Sequence, residues 1–342
     1  MSEIKYMQRA LELAALGTGS VSPNPLVGCV IVFQDIIIGE GWHQQYGGPH
    51  AEVNAVNNVS DPEKLKESTV YVTLEPCSHF GKTPPCADLL IRHQVKKVVI
   101  CNIDPFPLVA GKGIQKLKDA GIEVETGLLE KEGRNLNRRF FKSVESDRPY
   151  IILKWAETAD GFLAGADQKP LKITGAFSDM LVHKWRSEED AIMVGTNTAA
   201  IDNPSLNVRH WEGKNPVRVL IDSTLKLDRN LRVFDHSQKT IIFNTIEDRT
   251  EGENLYIRIS KNSENLSEIL DKLHELKIRS VFVEGGATLL NSFIRNGLFD
   301  EIRILKNKSA IKSGIPAPHV PPGIKLTKTG LFEEDQLSVF LT

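Results

Sequence analysis

Four side chains in the first quarter of the chain have the types and spacing that suit metal-activated hydrolysis. His50 and Glu52 are separated by one residue, and Cys77 and Cys86 follow with eight residues between them. One histidine and two cysteine thiolates are a frequent ligand set for catalytic zinc, which keeps its fourth position for water. Zinc lowers the pKa of that water toward ~7. Glu52 is then expected to take and return the proton without binding the metal.

The same pattern leaves other interpretations open. A purely structural zinc requires a fourth protein ligand, and His43 or His79 could close such a shell. Cys29 and Cys101 are predicted to be core residues, because an isolated cysteine is more often buried than reactive. The order H-x-E, then P-C and a further cysteine, is typical of zinc-dependent nucleobase deaminases. We therefore interpret the site as catalytic.

The elements around these residues are predicted to bring them together. His50 precedes an apolar-periodic helix over 50–59, and Cys77 follows an apolar, β-branched strand over 69–74. Cys86 opens a helix over 86–94. Two adjacent helix starts beside one strand end can converge on a single ion.

The remaining pattern predicts two α/β domains, 1–146 and 147–342, divided near the segment SDRP at 146–149. In the first domain, helices and strands alternate after a hairpin, which favours a mostly parallel sheet covered by helices. Its other predicted elements are a helix at 3–17, strands at 27–33, 36–41, 97–101 and 122–125, a helix at 113–120, and a charged connecting helix at 130–145. The second domain is predicted to have strands at 150–156, 190–195, 217–222, 239–244, 255–259 and 279–283, with helices at 177–187, 263–276 and 287–296.

Composition excludes several classes of function. The chain has 42 Lys and Arg against 44 Asp and Glu. This balance gives no overall positive electrostatic field that would attract the protein to nucleic acid or an anionic membrane. Its four cysteines do not resemble a secreted disulfide framework. The N-terminus is predicted to be an amphipathic helix and not a signal peptide. No apolar run approaches the ~20 residues of a membrane span. We expect a cytoplasmic protein.

Several motifs resemble one family. PCSHFGKTPPC at 76–86 is similar to the motif of the bifunctional riboflavin-biosynthesis deaminase/reductases, whereas cytidine and tRNA-adenosine deaminases have a shorter P-C-x-x-C. SPNPLVG at 22–28, GWH at 41–43 and GGPHAE at 47–52 also resemble that family, and KWAETADG at 154–161 and VEGGATL at 283–289 extend the likeness into the second half. The resemblance covers nearly the whole chain.

The resemblance implies a cytidine-deaminase-like mixed sheet with helices on both faces, followed by a dihydrofolate-reductase-like α/β domain. It implies deamination of 2,5-diamino-6-ribosylamino-4(3H)-pyrimidinone 5′-phosphate, then reduction of the ribosyl group to a ribityl group with NADPH. A small-molecule substrate and a homo-oligomer are also expected. NADPH follows from the resemblance alone, because the chain has no G-x-G-x-x-G.

In the deaminase half, the resemblance implies five substrate-binding residues: Asn24, His43, His79, Lys82 and Asp104. Asn24 can both donate and accept, so it suits a sugar hydroxyl or a base edge. His43, His79 and Lys82 suit a phosphate, with Lys82 as a point charge. Asp104 either contacts the ribose or caps a turn, and Phe106 stands where the family usually has asparagine.

In the reductase half, the resemblance places the substrate at Arg186, Leu206, Arg209 and Glu284. The cofactor-binding residues that it implies are Ala156, Thr198, Asp202, Ser223 and the segment 286–292, including Gly286, Ala287, Thr288 and Leu289. Pro170 and Lys172 depart from the family pattern, and Lys172 is expected to help hold a cofactor phosphate instead.

These departures motivate a second hypothesis, a deaminase whose C-terminal domain is a non-catalytic binding or dimerisation module. A nucleic-acid deaminase and a non-enzymatic zinc protein are further alternatives. The long cysteine spacing and the balanced charge are unfavourable to the nucleic-acid deaminase.

Overall fold

The computed structural model describes residues 2–78, 84–106, 109–167, 171–261 and 266–342. The chain divides into two compact units, Met1–Asp147 and Arg148–Thr342. None of the helices within the described residues combines the length and apolar character that a bilayer crossing requires.

The described residues of the first unit form a mixed sheet. Its strands are β1 (Gly28–Phe33), β2 (Ile36–Trp42), β3 (Thr69–Leu74), β4 (Lys97–Asn102) and β5 (Glu123–Thr126). Its helices are α1 (Ser2–Ala15), α2 (Ala51–Asn57), α3 (Cys86–Arg92), α4 (Lys112–Asp119), α5 (Glu130–Leu136) and α6 (Arg138–Ser146), with a 3₁₀ turn at Pro62–Glu67. The spatial order is β2-β1-β3-β4-β5. β1 is antiparallel to β2 and β3, whereas β3, β4 and β5 run parallel.

Helices cover both faces of this sheet, as predicted. Successive side chains of a strand point to opposite faces. Cys29 and Ile31 of β1 therefore pack into an apolar cluster with residues of α2, α3 and α4. Val30 and Val32 pack on the other side with α1. Cys29 is fully buried in the first cluster and Cys101 in the second, which confirms that both are core residues.

One glycine sets how closely α2 lies against the sheet. A Cβ atom at Gly41 of β2 would lie 2.3 Å from the backbone nitrogen of Ala55 and 2.6 Å from the carbonyl oxygen of Ala51. Only glycine allows this approach. The helix that follows His50 and carries Glu52 is thus seated directly on the sheet.

The single connecting helix predicted over 130–145 is wrong, because the structure has α5 and α6 with a break at Asn137. Asn137 has φ −94° and ψ 19°, outside the helical range. Its side-chain amide binds the backbone of Leu26 through two hydrogen bonds of 2.8 Å. A side chain that bonds to backbone groups elsewhere competes with helix continuation.

The second unit contains a larger sheet. Its described strands are β6 (Tyr150–Glu157), β7 (Phe162–Gly165), β8 (Ala191–Gly195), β9 (Val217–Ile221), β10 (Thr240–Asn244), β11 (Arg249–Glu251), β12 (Asn254–Arg258), β13 (Ser280–Val283), β14 (Glu301–Asn307), β15 (Gly314–Pro316), β16 (Lys325–Phe332) and β17 (Asp335–Leu341). Its helices are α7 (Ala176–Glu188), α8 (Thr196–Asp202), α9 (Leu266–Glu275) and α10 (Ala287–Arg295), with a 3₁₀ turn at Arg232–Phe234.

The central strands of this sheet are parallel, so their carboxyl ends share one edge. The order of its ten strands is β11-β12-β10-β9-β8-β13-β6-β14-β17-β16, while β7 and β15 form a separate antiparallel pair. Every pairing from β12 to β14 in this order is parallel. The chain winds outward from β8 to β12 and then returns to insert β13 between β8 and β6. Open α/β sheets bind ligands at the carboxyl ends of strands near such a reversal.

The sequence patterns did not predict the strands after residue 283. β14 interrupts its apolar run with Glu301 and Arg303, which are buried together as an ion pair of 2.6 Å. β16, at the sheet edge, is mostly exposed and contains two lysines and a glycine. Charged edge strands prevent pairing with other chains, but they carry little hydrophobic signal.

Candidate functional site

His50, Cys77 and Cys86 form a candidate metal centre. His50 immediately precedes α2, Cys86 opens α3, and Cys77 lies just beyond the end of β3. The Nδ1 atom of His50 lies 3.6 Å from Sγ of Cys77 and 3.3 Å from Sγ of Cys86. The three ligand atoms lie within 4.8 Å of one another. Ligand atoms around tetrahedral zinc are about 3.5–3.8 Å apart, so the donor set and its spacing fit zinc.

The environment of Cys77 favours its thiolate. The Cys86 side chain and the Cys86 backbone N–H, 3.3 Å away, both donate to Sγ of Cys77. These bonds and the nearby His50 lower the pKa of Cys77, whereas the same bond between the two thiols raises the pKa of Cys86. A metal ligand that is already deprotonated needs no proton release on binding.

Glu52 lies beside this centre in a cavity of about 270 Å³. The residues that line the cavity are Asn24, Pro25, Val27, His43, His50, Ala51, Glu52, Leu74, Glu75, Cys77, Asp104, Phe106, Val109 and Phe140. Glu52 is 3 % exposed. Burial, together with the charge of Cys77, raises the pKa of its carboxyl group. A carboxyl group with a raised pKa holds a proton more readily and so suits proton transfer.

Asn24 and His43 form a hydrogen-bonded pair in the same cavity. Nδ1 of His43 lies 2.9 Å from the carbonyl oxygen of Pro49, so it must carry the proton and donate. Nε2 then accepts from Nδ2 of Asn24 at 3.1 Å. Burial lowers the pKa of His43, consistent with a neutral ring. Both ring nitrogens have partners, which disfavours His43 as a fourth metal ligand.

Asp104 also lines the cavity, and it caps a turn. Its carboxylate accepts from the backbone N–H of Phe106 at 2.8 Å. Phe106, at the position of the family's asparagine, lines the same cavity. His79 and Lys82 lie outside the described residues.

The second unit has two adjoining cavities, of about 600 and 730 Å³, at the carboxyl edge of its parallel strands. Both are lined by Asn197 and Thr198 of α8 and by Gly286 and Thr288 at the start of α10. Gly286 donates its backbone N–H to Oγ1 of Thr198 at 2.9 Å, which ties the two helix starts together. A helix start with a glycine offers N–H groups to a phosphate at close range. The site therefore fits a dinucleotide.

The structure places all nine predicted cofactor residues on these cavities. Ala156, Lys172, Asp202 and Ala287 line the smaller one, Ser223 and Leu289 line the larger one, and Thr198, Gly286 and Thr288 line both. Lys172 forms an ion pair of 3.0 Å with Asp179 and is 72 % exposed. Pro170 lies outside the described residues.

Among the predicted reductase substrate residues, Arg186 and Glu284 form one buried unit. Nε and Nη2 of Arg186 donate to the two carboxylate oxygens of Glu284 at 2.7 and 2.8 Å. Although burial opposes it, the Arg186 guanidinium lowers the pKa of Glu284 to about 2. Glu284 lines the smaller cavity. A bidentate pair of this kind fixes the orientation of both side chains.

Leu206 and Arg209 lie on the loop after α8. Leu206 is 2 % exposed, packs in the core and has φ of +52°. The backbone N–H of Arg209 donates to Nδ1 of His183 at 3.1 Å, while the Arg209 side chain is exposed. The structure therefore joins Arg209 to α7 but buries Leu206.

Three residues of these sites were missed. Glu75 accepts from the backbone N–H groups of Asp104, Gly111, Gly113 and Ile114, and so holds the loop above the first cavity. Lys154 lines the smaller cavity of the second unit, where burial lowers its pKa. Phe140, from α6, lines the first cavity. A charged residue within or directly after an apolar strand was the available signal for Glu75 and Lys154, but Phe140 had none.

Family comparisons match both units. Residues 1–102 match the family described as the cytidine and deoxycytidylate deaminase zinc-binding region. Residues 149–307 match the RibD C-terminal domain. The described fold of each unit thus has a known counterpart.

Whole-chain relatives extend the match. The riboflavin biosynthesis protein RibD of Aquifex aeolicus is 44 % identical over 303 residues, covering 87 % of this chain and 84 % of the relative. The Escherichia coli protein of the same name is 39 % identical over 319 residues, which cover 88 % of this chain and 86 % of the relative. Acinetobacter baumannii RibD superposes with a TM-score of 0.91 at 35 % identity, over 99 % of this chain and 98 % of that chain. The chain therefore belongs to the RibD family of bifunctional riboflavin-biosynthesis deaminase/reductases.

Proposed function

We propose that this chain catalyses two consecutive steps of riboflavin biosynthesis on one pyrimidine nucleotide. The first unit, residues 1–146, removes the 2-amino group of 2,5-diamino-6-ribosylamino-4(3H)-pyrimidinone 5′-phosphate by hydrolysis. The second, residues 147–342, reduces the ribosyl group of the product to a ribityl group. The observation that carries this proposal is that a zinc-type centre and a dinucleotide-type cleft occur in one chain of this family. The alternative with a non-catalytic C-terminal domain is not retained, since both units match catalytic relatives.

In the first unit, His50, Cys77 and Cys86 would hold zinc, and the bound zinc would supply a water activated for attack at neutral pH. Glu52 moves the two protons of that water in turn, the first to a ring nitrogen and the second, from the hydroxyl group of the adduct, to the amino group that leaves as ammonia. Its burial supports this role, because a carboxyl group with a raised pKa can hold the proton between the two transfers. Water adds to the amidine-like carbon, the C–N bond breaks, and ammonia leaves.

Asn24 and His43 orient the substrate in this proposal. Because Nδ2 of Asn24 bonds to His43, its Oδ1 is the amide atom that accepts from a substrate hydroxyl or base edge. The bond from His43 to the carbonyl of Pro49 holds the pair in place. Asp104 lines the same cavity and is proposed to contact the ribose. His79 and Lys82 stay predicted phosphate ligands.

In the second unit, NADPH supplies a hydride to the sugar C1′ when it is bound along Ala156, Thr198, Asp202, Ser223 and the start of α10. The C1′–O bond of the ribose ring opens in this reaction, and the ring oxygen takes up a proton. Lys154 is placed to donate it, since it lines the same cavity as Glu284 and its pKa is lowered by burial. We propose that Arg186, Leu206 and Arg209 bind the substrate, with the arginines toward its phosphate, and that Lys172 contacts a cofactor phosphate.

A two-step assay of Glu52→Gln and wild-type protein tests this proposal. Ammonia release and then NADPH oxidation are followed with the diaminopyrimidine nucleotide. We expect both signals in the wild type, and a loss of ~10²–10⁴-fold in ammonia release in Glu52→Gln with its zinc retained. Supplied with deaminated nucleotide, the variant should still oxidise NADPH at the wild-type rate. Zinc-replete wild-type protein that releases no ammonia would contradict the substrate assignment.

Two further expectations stay predictions. A homo-oligomer follows from the resemblance alone, and sedimentation of the purified protein would test it. A cytoplasmic location is proposed from the sequence, and cell fractionation would test it.

A further inference from the structure

Part of the lining of the deaminase cavity comes from outside the matched deaminase region: the loop residues Asp104, Phe106 and Val109 and, much further along the chain, Phe140. Phe140 of α6 lines the cavity together with Asn24, His43 and Glu52. The match to the deaminase zinc-binding region ends at residue 102. The helix pair α5–α6, at Glu130–Leu136 and Arg138–Ser146, therefore adds a surface that this region does not contain.

The helix pair is firmly seated on the sheet of the first unit. A Cβ atom at Gly133 of α5 would lie 2.0 Å from Oδ1 of Asn102 and 2.4 Å from Sγ of Cys101. Nδ2 of Asn102 donates to the carbonyl oxygen of Glu130 at 2.9 Å. Sγ of Cys101 donates to the carbonyl oxygen of Leu129 at 3.1 Å. The start of α5 is thus fixed to the end of β4 by close packing and two hydrogen bonds.

Asn137 connects this seated pair to the loop that carries Asn24. Its Oδ1 accepts from the backbone N–H of Leu26, and its Nδ2 donates to the carbonyl oxygen of the same residue, both at 2.8 Å. Asn137 is 3 % exposed. A buried amide that bonds both backbone groups of one residue fixes the position and orientation of that residue. Asn24 lies two residues before Leu26, so its position depends on Asn137.

We propose that α5–α6 is a part of the deaminase substrate site, in which Phe140 contacts the pyrimidine of the nucleotide and Asn137 positions Asn24. This inference rests on the deaminase function proposed above. An aromatic ring at the wall of a small cavity packs favourably on a flat heterocycle. The same cavity is lined by the polar groups of Asn24 and His43, so it offers both apolar and polar contacts to a nucleotide.

The test compares Phe140→Ala, Phe140→Leu and Asn137→Ala in the full zinc-loaded protein. The matched control is Asn135→Ala, an exposed asparagine on the same helix pair whose Oδ1 accepts only from a neighbouring arginine side chain in the described contacts. The KM and kcat of ammonia release, the zinc content, the Tm and NADPH oxidation with deaminated nucleotide are measured for each protein.

We expect the KM of Phe140→Ala to rise about 5–10-fold, because the variant loses roughly one aromatic contact with the substrate. Its kcat should stay within about threefold of the wild-type value. Phe140→Leu should lie between this variant and the wild type. Asn137→Ala should also raise the KM about tenfold, with zinc content unchanged. A merely structural role would lower the Tm and the active fraction but leave the KM unchanged.

The outcomes separate this inference from the proposed function. Wild-type ammonia release together with an unchanged KM in both Phe140 variants would overturn the inference and leave the deaminase function standing. A wild type that releases no ammonia would overturn the proposed function and this inference with it. If Asn137→Ala does not fold, Asn137→Asp, which keeps the acceptor for Leu26 and loses the donor, provides the second measurement.

Discussion

The two candidate sites differ in how their chemistry is distributed along the chain. The candidate metal centre is predicted to concentrate its chemistry in four side chains, His50, Glu52, Cys77 and Cys86, that lie within 37 consecutive residues. The cofactor cleft uses side chains and backbone from 156 to 289, at the carboxyl ends of several parallel strands. A zinc ion needs few strong ligands, whereas a dinucleotide is held by many weak contacts.

This difference predicts how each site responds to change. Removal of one ligand should abolish function at the metal centre, because among the described residues no further His, Cys, Asp or Glu joins the group of His50, Cys77 and Cys86. Removal of one contact in the cleft should weaken cofactor binding only partly, unless the residue takes part in the chemical step. The following experiments test that contrast.

The largest expected effect is that of Cys77→Ala on deamination. The variant should lose its zinc, and the rate of ammonia release should fall by at least ~10³-fold. A loss of this size is only a small part of the rate acceleration that enzymes usually achieve. Metal analysis and the ammonia assay measure the two losses. NADPH oxidation with deaminated nucleotide should stay within twofold. The control is Cys101→Ala, which removes a buried cysteine outside the centre and should keep zinc. Zinc retained by Cys77→Ala would show that the centre has other ligands.

Lys154→Met should have the largest effect in the cleft. Methionine keeps most of the volume but cannot donate a proton, so NADPH oxidation should fall about 10²-fold. The Kd of NADPH, measured by fluorescence titration, should stay within threefold.

The comparison variant is Lys172→Met. This exposed lysine lines the same cavity, pairs with Asp179 and is proposed to contact a cofactor phosphate, but it has no proposed part in proton transfer. Its NADPH oxidation should change by less than about fivefold, as expected for a single exposed ion pair. Equal losses in the two variants would contradict a special role for Lys154.

Thr198→Val tests the distributed character of the cleft. Valine removes the hydroxyl that accepts from the backbone N–H of Gly286. The Kd of NADPH should rise about 2–10-fold, the worth of one hydrogen bond. Thr327→Val, at an exposed position of the edge strand β16, should have no effect. A loss beyond about 100-fold would show that the cleft, like the metal centre, depends on a single group.

The smallest expected effect is a pH dependence of stability in the second unit. Burial, with a smaller effect of Arg186, lowers the pKa of His183 to about 4 from 6.5. The unfolded chain therefore binds a proton between pH 6.5 and pH 4 that the folded chain does not. The free energy of unfolding should fall as the pH decreases through this window, by about 1–2 kcal/mol at pH 5 relative to pH 7.

The measurement is the urea-unfolding free energy of the wild type and His183→Asn at both pH values. Asparagine still offers an acceptor to the backbone N–H of Arg209 but does not titrate. The unfolding free energy of the variant should therefore change less between the two pH values, by about the 1–2 kcal/mol attributed to His183. His319→Asn changes an exposed histidine and should keep the wild-type dependence. Identical slopes in all three proteins would contradict the shifted pKa.

Much of the fold was predictable from local pattern. The apolar β-branched strand at Thr69–Leu74 and the amphipathic α4 have strong periodicity, and the structure has both. The strands after residue 283 were not predictable in this way. Glu301 and Arg303 are buried as an ion pair, and Arg303 also lies 3.8 Å from the carboxylate of Glu189. A local pattern contains no information about this contact with a residue more than 100 positions away.

By itself, the sequence determined the chemistry of the metal centre and the family of both halves. His50, Glu52, Cys77 and Cys86 lie at fixed spacing beside strand and helix ends, so local structure almost suffices to bring them together. Only the tertiary structure decided what surrounds them. Phe140 lines the first cavity and Asn137 bonds to the loop of Asn24, both from a helix pair more than 50 residues further along the chain, and Lys154 enters the cleft from an apolar strand. Contacts between residues distant in sequence depend on how whole elements pack, and a motif does not record that packing.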